Sequence, residues 1–450
     1  MSLYLQPDVE LSVCSGNVVL KREGVPVSHV LGVAEAVAVA CLAATGEERP
    51  ASSMCGELFE EGSLWVRRMI HRYWTYFGDG PPRDLDRAWL ERVASLRPTF
   101  PILPHSSVKQ EAAPASITWM VTLGCNRKCP YCFFDVYHFG SDSAGSPPDA
   151  SFPLSDAIRM VREMALIGAA DLYLTGGEPL LRKDILEVIE EASRVRVRVH
   201  LVTKYAVSPA LAARLAAAGI ASVTVSLDDA RPQAAAALAG ARGYLGEATK
   251  AIQALLAAGI PVQVNAVVTK VNADYLRALA AYLADLRVAK LKVSPFHEPF
   301  PPRPSASKLS TAGLDDVRFA ALKDEFAARD LEIELGSGAS PSASEPCGSL
   351  VCEIGTRSLD VMPDGSVSRC HYLTHVREMI VGSLRNQSLL EVWRGPTLAS
   401  MARPARTSFE TGPCFSCEEH DGCNARGRCY VSSLQTHGRL YAQDAFCTRQ

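Results

Sequence analysis

No run of apolar residues in this 450-residue sequence approaches the ~20 needed to cross a bilayer. The Val33–Ala44 stretch is short and carries Glu35. The first twenty residues lack a basic segment followed by an apolar one, so no export signal is expected and the chain reads as cytoplasmic. Positive charge is not in excess: 46 Lys and Arg against 49 Asp and Glu leave −3, which argues against a nucleic-acid reader built on a basic field. No internal repeat stands out. What is present is an ordinary globular balance, 48% hydrophobic and 21% charged, in a chain long enough for roughly three domains of ~150 residues.

Fourteen cysteines break that ordinary picture. In a reducing compartment, grouped cysteines point to metal or catalysis rather than to disulfides. Eleven of them fall in two groups, at 125–132 and 347–447; Cys14, Cys41 and Cys55 stand apart and read as ordinary buried thiols.

Residues 1–97 read as a small α+β unit. Glu10–Cys14 and Val18–Lys21 are expected as strands around a Ser15-Gly16-Asn17 turn, followed by helices over Leu31–Leu42 and Leu64–Phe77. In the second helix Trp65, Met69, Tyr73 and Phe77 recur every four residues, and the plain reading of that stripe is core packing. Proline-rich residues 98–116 read as a linker. Over 117–310 strands and helices alternate, with strands expected at Ile117–Thr122, Leu172–Thr175, Val197–Thr203, Val223–Leu227, Val262–Val268 and Leu291–Pro295. The intervening helices include Leu154–Ile167, Leu211–Ala218, Ala248–Ala257 and Asp274–Leu286. Such alternation predicts an α/β open or closed barrel of parallel strands with crossover helices. Pro299–Ser307 and Gly336–Pro346 are low-complexity breaks, 311–346 bridges, and 347–450 is cysteine-rich with short strands and loops.

Cys125, Cys129 and Cys132 lie within eight residues on a loop leaving the first strand, so they can converge on one metal centre. A closed zinc site wants a fourth ligand, for which His138 is the local candidate. A four-iron cluster on three cysteines instead leaves one iron open for reaction. The spacing Cys-x3-Cys-x2-Cys, with Tyr131 before the last cysteine, resembles the signature of the radical S-adenosylmethionine (radical SAM) superfamily. Thr175-Gly176-Gly177-Glu178-Pro179 at the end of the second strand resembles that family's segment for the SAM amino group, with Glu178 as acceptor and Pro179 completing it. Ser226-Leu227-Asp228 resembles the element near the SAM ribose and carboxylate. Two departures stand out. Asp229 replaces a glycine, and Thr203-Lys204-Tyr205 replaces a common Thr-Asn-Gly. Lys204 becomes a candidate partner of the SAM carboxylate or a proton donor.

In the second group, Met362-Pro363-Asp364-Gly365 predicts a hairpin that folds Cys370 back toward Cys352. Cys414, Cys417, Cys423, Cys429 and Cys447 follow. Eight cysteines suffice for two fully ligated four-iron clusters; zinc is the competitor, because Cys-x2-Cys pairs are common ribbon ligands. The arrangement resembles a SPASM domain. That resemblance implies Cys347, Cys352, Cys370 and Cys429 on one auxiliary cluster, and Cys414, Cys417, Cys423 and Cys447 on another. The five residues between Cys423 and Cys429 exceed the usual three.

The resemblance as a whole implies a partial (β/α)6 radical SAM barrel with an N-terminal α+β unit and a C-terminal SPASM domain. Its cofactors would be three [4Fe–4S] clusters, one of them SAM-binding, and SAM itself. The N-terminal unit resembles the winged-helix-like leader-peptide-binding domain of enzymes that mature ribosomally made peptides, which capture a strand at a sheet edge. The implied activity is hydrogen abstraction by a 5′-deoxyadenosyl radical from a precursor peptide, closing a thioether or carbon–carbon crosslink. A flavodoxin or ferredoxin would supply electrons, and neither nucleic acid nor membrane would be a partner. The rival readings are sulfatase-type protein oxidation, small-molecule dehydrogenation, and a non-catalytic electron carrier or zinc scaffold.

Overall fold

The computed structural model describes residues 3–14, 17–57, 62–79, 111–134, 152–298, 308–309, 316–335, 352–373, 376–410, 412–425, 427–443 and 447. The N-terminal unit opens with β1 (Tyr4–Leu5), followed by an antiparallel sheet of β2 (Val9–Cys14), β3 (Asn17–Arg22) and β4 (Ser28–Leu31). Helices α1 (Val33–Thr45), α2 (Glu48–Gly56) and α3 (Gly62–Arg72) pack together, and β5 (Phe77–Gly78) returns to pair with β1. The hairpin expected around residues 15–17 joins β2 to β3, although Ser15 and Gly16 lie outside the described residues. The expected helix over 64–77 is shorter. It ends at Arg72, and a 3₁₀ turn over Trp74–Tyr76 swings the chain round so that Phe77 can face Leu5. Val66, Met69, Tyr73, Tyr76 and Phe77 are buried against α1, so the aromatic stripe is indeed core. Cys41 and Cys55 are buried in the same cluster.

The barrel follows. Strands β6 (Ser116–Met120), β7 (Asp171–Thr175), β8 (Arg198–Thr203), β9 (Ser222–Ser226), β10 (Val262–Val268) and β11 (Lys290–Pro295) are parallel neighbours in chain order. Each falls within two residues of its predicted span. Helices α4 (Leu154–Ile167), α5 (Ile185–Arg194), α6 (Pro209–Ala217), α7 (Pro232–Ala239), α8 (Tyr244–Ala257) and α9 (Leu276–Asp285) make the crossovers. Alternation is clear in β10, where Val262, Val264, Ala266 and Val268 are buried and the residues between them are not. The region expected to bridge adds α10 (Asp316–Ala327) and a seventh parallel strand, β12 (Glu332–Leu335).

At the other sheet edge β13 (Ser358–Val361) pairs parallel with β6, and β14 (Ser366–Ser368) and β15 (Ile380–Ser383) continue antiparallel. Among the described residues one ten-stranded sheet therefore joins the barrel to the cysteine-rich region. The β13–β14 turn is the Asp364-Gly365 hairpin read from the sequence. Residues 111–116 of the expected linker are structured: Ala113 is buried, Glu111 pairs with Arg72 (2.5 Å) and Arg357 (2.7 Å), and Ser116 begins β6. Residues 98–110, 299–307 and 336–346 lie outside the described residues. No helix among the described residues is long and apolar enough to cross a membrane.

The N-terminal unit is fixed to the barrel at the C-terminal end of α4. A helix end leaves its last carbonyls without intrahelical donors and carries partial negative charge. Here Arg22 donates to Ala165 O (2.6 Å), Tyr76 to Leu166 O (3.3 Å) and Arg72 to Gly168 O (2.9 Å). His29, held as the neutral Nε2–H tautomer, donates to Ile167 O (3.2 Å). Burial, reinforced by the Arg72 charge, pushes the His29 pKa down to about 3. An exposed histidine in the unfolded chain titrates near 6.5, so between roughly pH 6.5 and 3 the unfolded state binds the extra proton. Stability must therefore fall as pH drops through that window. The thermal midpoint of the wild type is expected to decline from pH 7 to pH 4, and His29→Gln, which retains a donor but cannot titrate, to flatten that decline.

Candidate active site

All the parallel strands end on one side, and the candidate site is assembled there. The loop after β6 carries Cys125, exposed, and Cys129 and Cys132, partly buried. Gly176 and Gly177, after β7, run against this loop. The Gly177 amide donates to Thr122 O and the Glu178 amide to Gly124 O, both at 2.8 Å. A β-carbon on Gly177 would stand 2.1 Å from Gly124 O, and Gly176, at φ +116°, would meet Thr122 O at 2.9 Å. The two glycines are thus required by close approach of the cysteine loop itself.

Glu178 is buried, and its carboxylate accepts from Thr203 Oγ1 (2.7 Å), the Lys204 amide (3.0 Å) and the Leu180 amide (3.2 Å). Burial raises its pKa, against the pull of those donors. Pro179, also buried, starts the 3₁₀ turn that follows.

Lys204 sits at the end of β8, one residue beyond Thr203. Its Nζ donates to Asp228 (3.1 Å), to the Tyr131 hydroxyl (2.9 Å) and to Ser226 O (3.2 Å), which uses all three of its protons. Tyr131 in turn donates to Asp228, whose other oxygen accepts from the Val267 amide (2.9 Å). Burial opposes the lysine's charge, but Asp228 prevails and holds its pKa well above the usual range. Lys204 is thereby held on three acceptors at the ends of β8 and β9.

Arg127, between the first two cysteines, clamps the same corner. It donates to Lys204 O at 2.9 and 3.1 Å and to Glu247 at 2.6 Å, with its guanidinium 5.0 Å from the Tyr244 ring centroid. No local pattern signals this role, since Arg127 reads as filler between ligands. Asp229, standing where a glycine is usual, is buried and closed by Arg231 at 2.6 Å. The substitution is thus neutralised locally.

The three loop thiols are near one another in sequence, and two of them face carbonyls. Cys129 Sγ lies 3.7 Å from Ala239 O and Cys132 Sγ 3.2 Å from Phe134 O. Among the described residues no three His, Cys, Asp or Glu side chains already converge as a ligand set. His138 and Cys347 lie outside the described residues. In the second group, burial and the neighbouring Cys352 and Cys429 thiols hold the Cys370 pKa up, so these three share one neighbourhood. Cys429 caps the helix Tyr430–His437, accepting from the Ser432 amide. Cys414, Cys417, Cys423 and Cys447 are partly buried. The two cysteine groups approach through rings: Phe133, next to Cys132, lies 4.3 Å from Tyr372, two residues beyond Cys370, and His297 reaches Tyr372 at 5.9 Å.

A parallel β/α sheet with a three-cysteine loop at its strand ends and a cysteine-rich extension on its edge defines a class of enzyme. Residues 119–283 match the radical SAM superfamily, and residues 352–418 match an iron–sulfur cluster-binding domain, SPASM. The chain belongs to the radical SAM superfamily, is a radical SAM enzyme, and carries a SPASM domain. It is similar to the mycofactocin maturase MftC of Mycobacterium ulcerans, 27% identical over 75% of this chain and 88% of that one. It is also similar to the PqqA peptide cyclase of Streptomyces rochei, 26% identical over 74% and 89%. In fold it resembles Streptococcus suis SuiB, solved bound to its precursor peptide SuiA, at TM-score 0.64 and 17% identity over 99% of this chain and all of the other.

The family brings iron–sulfur clusters and SAM, and the residues fit them. Three thiols on a loop held by backbone bonds at Gly177 and Glu178 provide sulfur donors of the kind iron takes. Cys125 is the exposed member of the three.

Proposed function

We propose that this chain is a peptide maturase that installs an oxidative crosslink, a thioether or a carbon–carbon bond, in a ribosomally made precursor. The observation that carries the reading is the N-terminal sheet unit locked onto the barrel by Arg22, His29, Arg72 and Tyr76. Enzymes that oxidise sulfatases or small alcohols need no such unit, whereas capture of a leader strand at a sheet edge does. The whole-chain likeness to a maturase solved with its precursor, and the likeness to a peptide cyclase, support it.

In this reading Cys125, Cys129 and Cys132 hold the SAM-binding cluster, and Gly176, Gly177, Glu178, Pro179, Ser226 and Asp228 frame the SAM pocket. Cys347, Cys352, Cys370 and Cys429 hold one auxiliary cluster, and Cys414, Cys417, Cys423 and Cys447 the other, three [4Fe–4S] clusters in all. Held there, a reduced cluster together with SAM would supply a carbon radical able to take hydrogen from an unactivated carbon. Lys204 and Arg127 act as positioning residues, tying Tyr131 and the cysteine loop to β8 and β9. Tyr131 and Asp228 reach the cofactor through that frame. Electrons come from a flavodoxin or ferredoxin, and the setting is the cytoplasm.

Anaerobic incubation of a candidate precursor with reconstituted protein, SAM and reductant, read by mass spectrometry, tests this. Loss of two hydrogens, dependent on SAM, is expected. Consumption of SAM beside a peptide of unchanged mass would transfer the radical chemistry to another substrate.

A further inference from the structure

Arg369 precedes Cys370 at the end of β14 and is 1% exposed. Its Nη1 donates to Cys352 Sγ at 3.2 Å, while among the described residues Nε and Nη2 have no hydrogen-bond partner. No carboxylate pairs with it among the described residues; its other neighbour is the Tyr430 ring, 5.7 Å from the guanidinium carbon. Gly355, without a side chain, lies against its Nε. A buried guanidinium with two orphaned donors costs several kcal/mol unless an anion meets it. Among the described residues three thiols lie near it, Cys352 in contact, Cys370 next in sequence and Cys429 beside Tyr430, with the Tyr430 hydroxyl the other ionisable neighbour.

We propose that Arg369 is a redox-tuning residue, its free Nε–H and Nη2–H donating to the sulfurs of the auxiliary cluster on Cys352, Cys370 and Cys429. The inference rests on the cluster assignment made above. A four-iron cluster with four thiolates carries about two negative charges when oxidised, and one electron added without a proton makes it about three. A desolvated cation and two charge-assisted donors stabilise the reduced form more, so they raise the potential. The cluster on this side becomes the better acceptor for the electron that an oxidative crosslink leaves on the substrate. Cluster reduction by that electron balances the loss of one proton and one further electron from the peptide, the first hydrogen having gone to the SAM-derived radical.

The test uses full-length, anaerobically reconstituted protein in which Cys125, Cys129 and Cys132 are alanine, so that only the auxiliary centres report. About eight irons and eight sulfides per chain are expected. In an EPR-monitored redox titration, Arg369→Met should lower the reduction equilibrium of one cluster about tenfold, equal to about 59 mV, and leave the other unmoved. Arg369→Lys, which keeps the charge, should recover part of the shift, and it serves alone if the methionine variant does not fold. Full iron content with neither variant's potential moved would overturn the proposal. Zinc in place of iron, or only four irons in the parent, would overturn the cluster assignment and the proposal with it, and the metal count tells these two failures apart.

Discussion

Cys125→Ala is expected to abolish reductive cleavage of SAM and to remove about a third of the bound iron, close to four atoms per chain. The loss should be total because in the proposed assignment each of the three loop cysteines is a cluster ligand. Folding should survive. Cys125 is exposed, and the loop around it is held by backbone bonds at Thr122, Gly124, Gly177 and Glu178, none of which involves the thiol. Iron analysis, circular dichroism and chromatographic detection of SAM products on one preparation separate the outcomes. Retained SAM cleavage at full iron content would place the reactive cluster elsewhere.

The second large effect is expected at Lys204. Lys204→Met removes the one cation that contacts Asp228 among the described residues, leaving a carboxylate 2% exposed with only neutral donors from Tyr131 and Val267. Breaking a buried pair from one side costs about 3–5 kcal/mol, because the remaining charge stays buried and unpaired. The thermal midpoint should fall by several degrees and SAM affinity with it, since Tyr131 stands between two cysteines of the loop. Adding Asp228→Asn should restore most of the stability. Its amide carbonyl can still accept from Val267 and its NH₂ can donate to Tyr131. Equal loss in the single and double variants, measured by thermal unfolding and SAM titration, would mean that the lysine acts by packing alone.

Much of this architecture was legible because barrel strands are buried on a period of two and their helices are long. Leu154–Ile167 and Val262–Val268 were read to the residue. Helix α3 was overrun because a four-residue aromatic period does not reveal that Phe77 is needed opposite Leu5, seventy-two residues earlier. Strand β12 was missed because Glu332-Ile333-Glu334-Leu335 is four residues long and looks amphipathic in either conformation. The pairing of β13 with β6 joins residues 358 and 116, a contact no local pattern encodes. In the site, the cysteines and the Gly-Gly-Glu-Pro turn could be read from spacing. The roles could not. Glu178 accepts from Thr203 and the Lys204 amide, and Lys204 donates to Ser226 and Asp228, partners that no local spacing encodes.

The carbonyls of Ala165, Ile167 and Gly168 that anchor the N-terminal unit lie in the last turn of α4 and its cap, just before the start of β7, whereas Cys125 and Gly176 lie beyond the strand ends. Anchor and chemistry are therefore separated by about the length of β7, roughly 17 Å for its 5 residues at ~3.3 Å per residue. A peptide gripped by its leader at the small sheet would have to run that distance before its reacting residue arrives. In the proposed reading the fold would act as a ruler, with about five extended residues at ~3.3 Å each as the least tether across β7.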